Sequence, residues 1–262
     1  MLEIVELNDS IEKAFWAYVL RDIPRYFFFI LDLKIYPERC KFFIALDDEI
    51  IVGLCLIWRN HIIQMRSDNP EVVKALFDAI PKDLPIDEIT FEYKHRDLLF
   101  SLVPNPKMKI SNHRMILQKE KMISRFPLNK PFTQRNLTFD DVEQIEKLMR
   151  VADPYYWGDF TGSRLEFGEK QVYTGLFDGN KLISYTLAWI DETAAILSTV
   201  ATHPKYQNQG LATYLVNEGV HLLMKNSEIG LIHVRTDNPP AIKVYSKCGY
   251  EVYSTHQNVR LR

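Results

Sequence analysis

The second half of the chain shows two clear periods in the spacing of its apolar residues. Two β-type runs, 172–177 and 181–190, flank Asp178-Gly179, and Asp-Gly in that position is a strong signal for a β-hairpin. Alternation and length predict further strands over 194–202, 230–235 and 250–253. A helical period predicts helices over 138–149, 211–225 and 239–247, and Gly249 stops the last one. This order of elements predicts a mixed α/β unit.

The first half repeats the same order more faintly. Its predicted elements are a hairpin over 42–46 and 50–58, a strand over 62–65, a helix over 70–80 and a strand over 86–93. The same interval separates Asp47 from Asp178 and Trp58 from Trp189. We interpret the chain as two tandem copies of one α/β unit with a mixed α+β sheet. Coincidence between two ordinary hairpins is the alternative.

The two halves meet in a segment without apolar period. Residues 119–131 are charged and include two prolines, which is typical of a linker. We therefore predict an N-terminal domain over 1–120, a linker over 121–132 and a second domain over 133–262. A chain of 262 residues is long enough for two domains of this size.

Composition narrows the class of protein. Apolar residues make up 47% and charged residues 25%, which is an ordinary globular balance. A net charge of −2 gives no electrostatic basis for binding nucleic acid or a membrane surface. The longest apolar runs are too short for a membrane span, and the first residues lack a basic signal-peptide region. Three cysteines without a C-x-x-C pair predict reduced thiols, so we expect a cytoplasmic protein without a metal site.

The turn between the strand at 194–202 and the helix at 211 is the main candidate site. Gly210 lets the backbone approach a ligand closely, and a helix that begins there directs unpaired N–H groups and a positive dipole end toward one point. Such a place binds phosphate groups, although an ordinary helix start is the alternative. In the first half, residues 66–70 stand at this place. There Asp68 repels a phosphate and Pro70 lacks an amide donor, so that copy is expected to have lost its ligand.

Two motifs at a characteristic spacing give residues 133–262 a family resemblance. Gln207-Asn208-Gln209-Gly210-Leu211-Ala212 matches the pattern Q/R-x-x-G-x-G/A, and the run from Asn238 to Val252 is similar to N-x-x-A-x-x-x-Y-x-x-x-G-F/Y. Both patterns belong to the GNAT superfamily of N-acyltransferases, which this half resembles. The tandem layout is similar to the glycine N-acyltransferase-like branch. The resemblance implies a degenerate first domain and an active second domain.

The resemblance also implies a reaction and a cofactor. Members of the superfamily transfer an acetyl or short acyl group from acetyl-CoA to a primary amine by direct attack in a ternary complex. The turn would hold the coenzyme A pyrophosphate, the strand before it would pair with the pantetheine arm, and Tyr245 would return a proton to the leaving thiolate. The implied cofactor-binding residues are Val200, Ala201, Thr202, Gln207, Asn208, Gln209, Gly210, Leu211, Ala212, Thr213, Asn238 and Tyr245.

Each of these roles has a structural alternative. Val200 fits the hydrophobic core as well as a backbone role. Asn238 stands where it can cap the helix entered through Pro239 and Pro240. Tyr245 fits a half-buried aromatic residue against the sheet, although a phenol with a pKa near 10 is protonated at neutral pH and can serve as an acid.

The general base and the acceptor pocket are less marked. Some relatives place a Glu where this chain has Ile196, which cannot accept a proton. The remaining candidates for the general base are Asp191, Glu192, Ser198, His203 or a chain of water molecules. For His203 a structural role is favoured. The acceptor would be a small-molecule amine or a peptide or protein amine. Aromatic faces and carboxylates suit a cationic amine. The predicted acceptor-binding residues are Tyr155, Tyr156, Trp157 and Asp159, and a packed loop is the alternative.

Two other functions compete with catalysis. A non-catalytic acyl-CoA sensor would retain the fold and the cofactor without group transfer, and a scaffold would bind no cofactor at all. For the enzyme, the acceptor classes left open are protein N-termini, lysines, polyamines, amino acids and aminoglycosides. Either a monomer or a homodimer is compatible with the sequence.

Overall fold

In the computed structural model, residues 1–128 and 131–261 are described. Asn129 and Lys130 of the predicted linker, and Arg262 at the end of the predicted second domain, lie outside the described residues. The chain forms two compact units. Unit 1 comprises Met1–Arg114, Arg235–Asp237 and the chain from Tyr253 onward, and unit 2 comprises Met115–Val234 and Asn238–Val252. The boundary at 121–132 stays a prediction about independent domains.

The described residues form strands and helices in a mixed order along the chain. The strands are β1 (Leu2–Glu6), β2 (Cys40–Asp47), β3 (Ile50–Trp58), β4 (Ile62–Ser67), β5 (Glu88–Glu92), β6 (Met108–Gln118), β7 (Thr133–Asn136), β8 (Gln171–Asp178), β9 (Lys181–Trp189), β10 (Ala195–Thr202), β11 (Ile229–Arg235) and β12 (Glu251–Arg260). The helices are α1 (Asp9–Val19), α2 (Ile23–Ile35), α3 (Pro70–Asp78), α4 (Arg96–Leu102), α5 (Val142–Ala152), α6 (Pro154–Trp157), α7 (Leu211–Leu223) and α8 (Pro239–Lys247).

Unit 1 is built on a mixed sheet with the strand order β1-β2-β3-β4-β5-β12-β6. β1 to β4 pair antiparallel, β4 and β5 pair in parallel, and β12 pairs antiparallel with β5. The β2–β3 hairpin turns at Asp48 and Glu49, which are both left-handed with φ of 47° and 67°, as a two-residue hairpin turn requires. One apolar cluster of this sheet packs on α3, and another packs on α1 and α2.

Unit 2 has the strand order β6-β11-β10-β9-β8-β7. β7 to β10 pair antiparallel, and β10 pairs in parallel with β11. The predicted hairpin is confirmed, but Asp178 pairs with Lys181, so the turn is one residue later than predicted, at Gly179-Asn180, with Gly179 at φ 57°. Antiparallel and parallel pairs in one sheet with flanking helices confirm the predicted α/β class with a mixed α+β sheet.

Helices cover both faces of the unit 2 sheet. Leu187 and Ala188 are neighbours in β9 but belong to different apolar clusters, because successive strand residues point to opposite faces. The cluster of Ala188 includes α7 and α8, and that of Leu187 includes α5. α7 turns Leu215, Val216 and Val220 toward the core, all of them fully buried. The sheet and α7 thereby fix the turn that joins β10 to α7.

Candidate functional site

The end of β10 is open on one side. β10 pairs with β11 only from Ala195 to Leu197, whereas its pairing with β9 continues to Thr202. A register shift follows Leu197, at the point where the pairing with β11 stops. The last part of β10 is therefore an edge next to β11, and an edge of this kind can accept an extended ligand as an added strand.

The direction of the backbone groups along this edge follows from one hydrogen bond. The His203 N–H donates to the Ile183 carbonyl of β9 at 2.8 Å. Backbone groups in an antiparallel pair point alternately toward and away from the partner strand. The N–H and C=O groups of Val200 and Thr202 therefore face away from β9, toward the side where β11 no longer pairs. This is the orientation that the predicted role of these residues requires.

Side chains of β9 support the opposite side of the same stretch. Thr186 Oγ1 donates to the Thr199 carbonyl at 3.0 Å, and Ser184 Oγ donates to the Ala201 carbonyl at 2.9 Å. Ser184 and Thr186 are fully buried in a strand that is otherwise largely apolar. Sequence reasoning did not select these two hydroxyl residues, although polar residues at alternate positions in an apolar strand were the available signal.

The turn before α7 presents a row of unpaired amides. Asn208 and Gly210 are left-handed, with φ of 60° and 81°. No atom lies within 4 Å of the Cβ position that a side chain at residue 210 would occupy, so a ligand can come close to this backbone. Among the described residues, we find no acceptor for the backbone N–H groups from Asn208 to Thr213. These N–H groups and the α7 dipole have the arrangement that the predicted anion site requires, and the site itself stays a prediction.

Side chains hold this turn in place from both ends. Tyr206 Oη donates to Asp178 Oδ2 at 2.7 Å, which links the turn to the β8–β9 hairpin. Gln207 Nε2 donates to the Thr202 carbonyl at 3.2 Å and closes the loop on the end of β10. The turn is therefore anchored before any ligand binds, which lowers the cost of ordering it.

His203 contributes to the same anchoring. Its Nδ1 accepts a hydrogen bond from the Lys205 N–H at 3.2 Å, and its ring packs edge-on against Tyr206. Partial burial, with the positive charges of Lys181 and Lys205, lowers the pKa of His203. Because Nδ1 is already an acceptor within the turn, these contacts favour the structural role over that of the general base.

Tyr245 lies buried on α8 in the cluster that also includes α7. Its side chain packs edge-on against Tyr250, with ring centroids 6.4 Å apart, and Val200 packs against the same cluster. Among the described residues, no hydrogen-bond partner of the Tyr245 hydroxyl is found. Burial raises the pKa of Tyr245, so the phenol holds its proton at neutral and moderately alkaline pH. Tyr245 can therefore serve as a proton donor on the face of the sheet that Val200 also covers.

Asn238 caps α8. Its Oδ1 accepts a hydrogen bond from the Ala241 N–H at 3.2 Å, where the helix begins at Pro239. This geometry shows the capping role that the sequence offered as an alternative. A contact of Asn238 with coenzyme A stays a prediction, because the capping bond leaves the amide nitrogen of the side chain available.

The predicted acceptor residues lie on and just after α6. Asp153 Oδ1 caps this short helix by accepting from the Tyr156 N–H at 3.1 Å. Tyr155 is 68% exposed, and Trp157 packs edge-on between Tyr156 and Phe160 at ring distances of 4.6 and 5.6 Å. Trp157 also packs against the cluster of Ala201, on the face of the sheet opposite Val200. α6 thus presents both an exposed ring and a half-buried ring.

The carboxylate of Asp159 is partly compensated. Arg164 Nη2 lies 3.7 Å from Asp159 Oδ2 in an exposed ion pair, which leaves that carboxylate open to exchange with another cation. Ile196, which stands where some relatives place a Glu, is buried in the core. Among the candidates for the general base, Ser198 is exposed, and Asp191 is buried with Oδ1 accepting from the Thr193 N–H at 2.9 Å.

The described residues contain neither a cluster of metal ligands nor a helix that could span a membrane. Within residues 1–128 and 131–261, no group of three or more His, Cys, Asp or Glu side chains could hold a metal ion. In the same described stretches, no helix combines the length and the apolar character needed to cross a membrane.

Comparison with known proteins finds a family that the site-bearing part of this chain resembles. The Acetyltransferase (GNAT) family matches residues 140–250, which include the open end of β10, the turn and α8. An N-alpha-acetyltransferase of Saccharolobus solfataricus is 26% identical over 138 residues, covering 46% of this chain and 80% of that protein. The predicted family resemblance is confirmed, and this family uses acetyl-CoA.

Solved structures extend the likeness to the whole chain. A tandem GNAT protein from the clavulanic acid biosynthesis pathway, solved without AcCoA, superposes with a TM-score of 0.64 at 12% identity, covering 100% of this chain and 99% of that one. A Drosophila protein superposes with a TM-score of 0.67 at 13% identity, covering 99% and 98%. At these identities the likeness concerns the fold, and it confirms the predicted tandem arrangement.

Proposed function

We propose that the protein transfers an acetyl or short acyl group from acetyl-CoA to a primary amine within a ternary complex, because residues 140–250 match the Acetyltransferase (GNAT) family. The observation that carries this proposal is the row of unpaired amides between the open end of β10 and α7. Its donors suit a pyrophosphate, and the edge that leads to it suits an extended chain.

The residues at the turn fit coenzyme A. The N–H groups from Asn208 to Thr213 would donate to the pyrophosphate, with the open space over Gly210 leaving room for it. The backbone of Val200 and Thr202 would pair with the pantetheine arm, and Ala201 and Gln207 keep that stretch in position. The bound cofactor supplies an activated thioester and a thiolate leaving group.

Two groups of this chain act on the reacting atoms in the proposed mechanism. The Val200 N–H would donate to the thioester oxygen, where negative charge would develop as the amine attacks. The Tyr245 hydroxyl would donate its proton to the leaving sulfur, because burial keeps this phenol protonated. The amine would lose a proton to Asp191, Glu192, Ser198 or water.

We propose that the acceptor amine binds at α6. The rings of Tyr155, Tyr156 and Trp157 offer faces to a cation, and Asp159 offers a carboxylate that pairs with an exposed arginine. The name of the Saccharolobus relative makes a peptide with a free N-terminus the first acceptor to test.

Ala212→Asp tests the cofactor site without breaking the helix. Residue 212 is the second residue of α7, where an added carboxylate favours the helix by about 0.3–1 kcal/mol but repels a pyrophosphate. We expect the KM for acetyl-CoA to rise at least about tenfold, or about 1.4 kcal/mol, with the fold intact. Transfer to a peptide amine is followed by release of free thiol and by the mass of the acetylated peptide.

The matched control is Ser10→Asp, which adds the same charge at the second residue of α1. It should leave the KM for acetyl-CoA unchanged. An equal KM in wild-type protein and Ala212→Asp would show that the turn does not hold the cofactor. Tight acetyl-CoA binding with no turnover of any amine would instead favour the acyl-CoA sensor.

A further inference from the structure

Unit 1 has a polar cavity of its own, of about 350 Å³. It lies where β4 and β5 separate, because β4 pairs with β5 only from Ile62 to Gln64. A volume of this size is at the lower end of those that hold small-molecule ligands. The lining residues share a polar or charged character and are Asp22, Arg25, Arg66, Asp68, Glu92, Arg114, Tyr253, Ser254, Thr255 and His256.

Two of the three arginines in this lining are almost completely buried. Arg66 and Arg114 are each 2% exposed. Arg66 donates to the Met65 carbonyl at 2.8 Å, to Gln64 Oε1 at 3.1 Å and to the Arg25 carbonyl at 3.4 Å. All three acceptors are neutral, and they engage three of the five N–H hydrogens of a guanidinium group. A buried positive charge whose hydrogen bonds reach only neutral oxygens is costly, and a bound anion would reduce that cost.

Arg114 adds a second buried charge beside the first. Its Nη1 donates to the Pro24 carbonyl at 2.7 Å and to the Arg25 carbonyl at 2.9 Å. Burial, followed by the positive charge of Arg66, lowers the pKa of Arg114 to about 9, and burial lowers that of Arg66 to about 10. The carbonyl oxygens of the first turn of α2 thus hold two guanidinium groups that repel each other.

The carboxylates in the lining are engaged elsewhere. Arg25 Nη2 pairs with Glu92 at 2.9 Å and with Asp68 at 3.0 Å, and Lys94 also pairs with Asp68. Asp22 accepts from the Arg25 N–H at 3.0 Å and from the Tyr253 hydroxyl at 2.5 Å. Arg25 Nε is buried and has no acceptor among the described residues. The lining therefore combines paired carboxylates with two arginines, Arg25 and Arg66, that have donors to spare.

We propose that this cavity binds a small anionic molecule through a carboxylate or phosphate group held by Arg66, Arg114 and the Ser254 hydroxyl. Guanidinium groups match the planar or forked geometry of both anions. Thr255 is less available, because its Oγ1 already pairs with His113 Nδ1 at 2.9 Å. The site is distinct from a coenzyme A site, since Asp68 and Pro70 stand where the unit 2 turn has free amides.

The test measures thermal unfolding and calorimetric binding with inorganic phosphate in one arm and succinate in the other, against sodium chloride of equal ionic strength. The background protein is Ala212→Asp, so that the turn in unit 2 does not contribute. We expect a Kd in the low millimolar range or below for at least one anion, with an unfolding midpoint raised by a few degrees at about 100 times the Kd. Phosphate alone would identify a phosphate-bearing ligand, and succinate alone would identify a carboxylate.

Variants of the lining decide whether the anion binds in this cavity. Ser254→Asp places a carboxylate in the lining at a half-buried position, and Arg66→Gln removes one buried charge. Each should weaken binding at least tenfold. Arg96→Gln, which removes an exposed arginine of the same unit, should not change the Kd. If Arg66→Gln fails to fold, Ser254→Asp alone decides. Binding by neither anion, or an unchanged Kd in Ser254→Asp, would overturn the proposal.

Discussion

Tyr245→Phe separates the chemistry of the unit 2 site from its fold. The substitution removes one oxygen from a side chain that is 6% exposed and leaves the ring in place. Because no partner of that hydroxyl is found among the described residues, its loss should change the free energy of unfolding by less than about 1 kcal/mol. The ring contact with Tyr250 is retained, so the cluster around α8 keeps its packing.

Tyr245→Phe should lower kcat far more than it changes the free energy of unfolding. A positioned general acid typically contributes about 100- to 10,000-fold, and we expect kcat to fall within that range. The Kd for acetyl-CoA should stay within about twofold, because the amides of the turn are unchanged. Since burial raises the pKa of Tyr245 above its ordinary value near 10, the wild-type rate should show no loss from this group as the pH rises to about 10.

The assay is release of free thiol under saturating acetyl-CoA and amine, combined with calorimetric binding of coenzyme A. Tyr250→Phe is a matched control in the same cluster, because the Tyr250 Oη is fully buried and has no partner among the described residues. This control should keep kcat within about twofold and should gain stability, since it removes a buried unsatisfied hydroxyl worth about 1–3 kcal/mol. If Tyr245→Phe keeps kcat within a few-fold of wild type, Tyr245 is not the acid.

Three further predictions concern stability. Burial raises the pKa of Asp32 to about 8, so the folded state binds more protons than the unfolded state between about pH 4 and 8. The free energy of unfolding of the wild-type protein, measured in urea, should therefore fall as the pH rises through that range, and Asp32→Asn should remove this dependence on pH. Asp141→Ala should lower the free energy of unfolding by about 1–2 kcal/mol, because Asp141 accepts two 2.7 Å hydrogen bonds from Arg135 and closes a capping box. Arg135 holds the pKa of Asp141 below its usual value. The difference between wild type and variant should therefore be full above about pH 4 and should vanish as the pH falls through that lowered pKa. Gly219→Ala should lower the stability by about 1–3 kcal/mol, since the added Cβ would lie 2.6 Å from Cδ2 of the buried Leu197. An unchanged midpoint of thermal unfolding would show that Leu197 in β10 moves aside at no cost.

Local signals predicted unit 2 well. The Asp-Gly turn fixed the hairpin, and α8 begins at Pro239 and ends at Lys247, as the proline entry and Gly249 indicated. The turn before α7 was also readable, because Gly210 has the left-handed conformation that the motif requires. These features depend on residues close together in the sequence, so a single segment contains the information.

Other elements had no readable period. β6 carries the buried polar residues Asn112 and Arg114 on its inner face, which breaks the apolar alternation that marks a strand. α2 contains the run 27–31 of consecutive apolar residues, which shows no helical face. The cavity of unit 1 could not be predicted from the sequence for a different reason. Arg25, Arg66 and Arg114 belong to separate elements, and only the fold brings them together.

The path of the chain between the two units has a consequence for biosynthesis. β12 lies between β5 and β6 in unit 1, yet it begins at Glu251, far along the chain from β5, which ends at Glu92. During translation, the edge of β5 from Glu88 to Glu92 stays unpaired on this side until residues 256–260 of β12 leave the ribosome. Unit 1 therefore cannot complete its sheet, or the part of the cavity lining from Tyr253 to His256, before residues 253–260 have been made. A fragment that ends near residue 120 would leave this strand edge exposed to association with other chains.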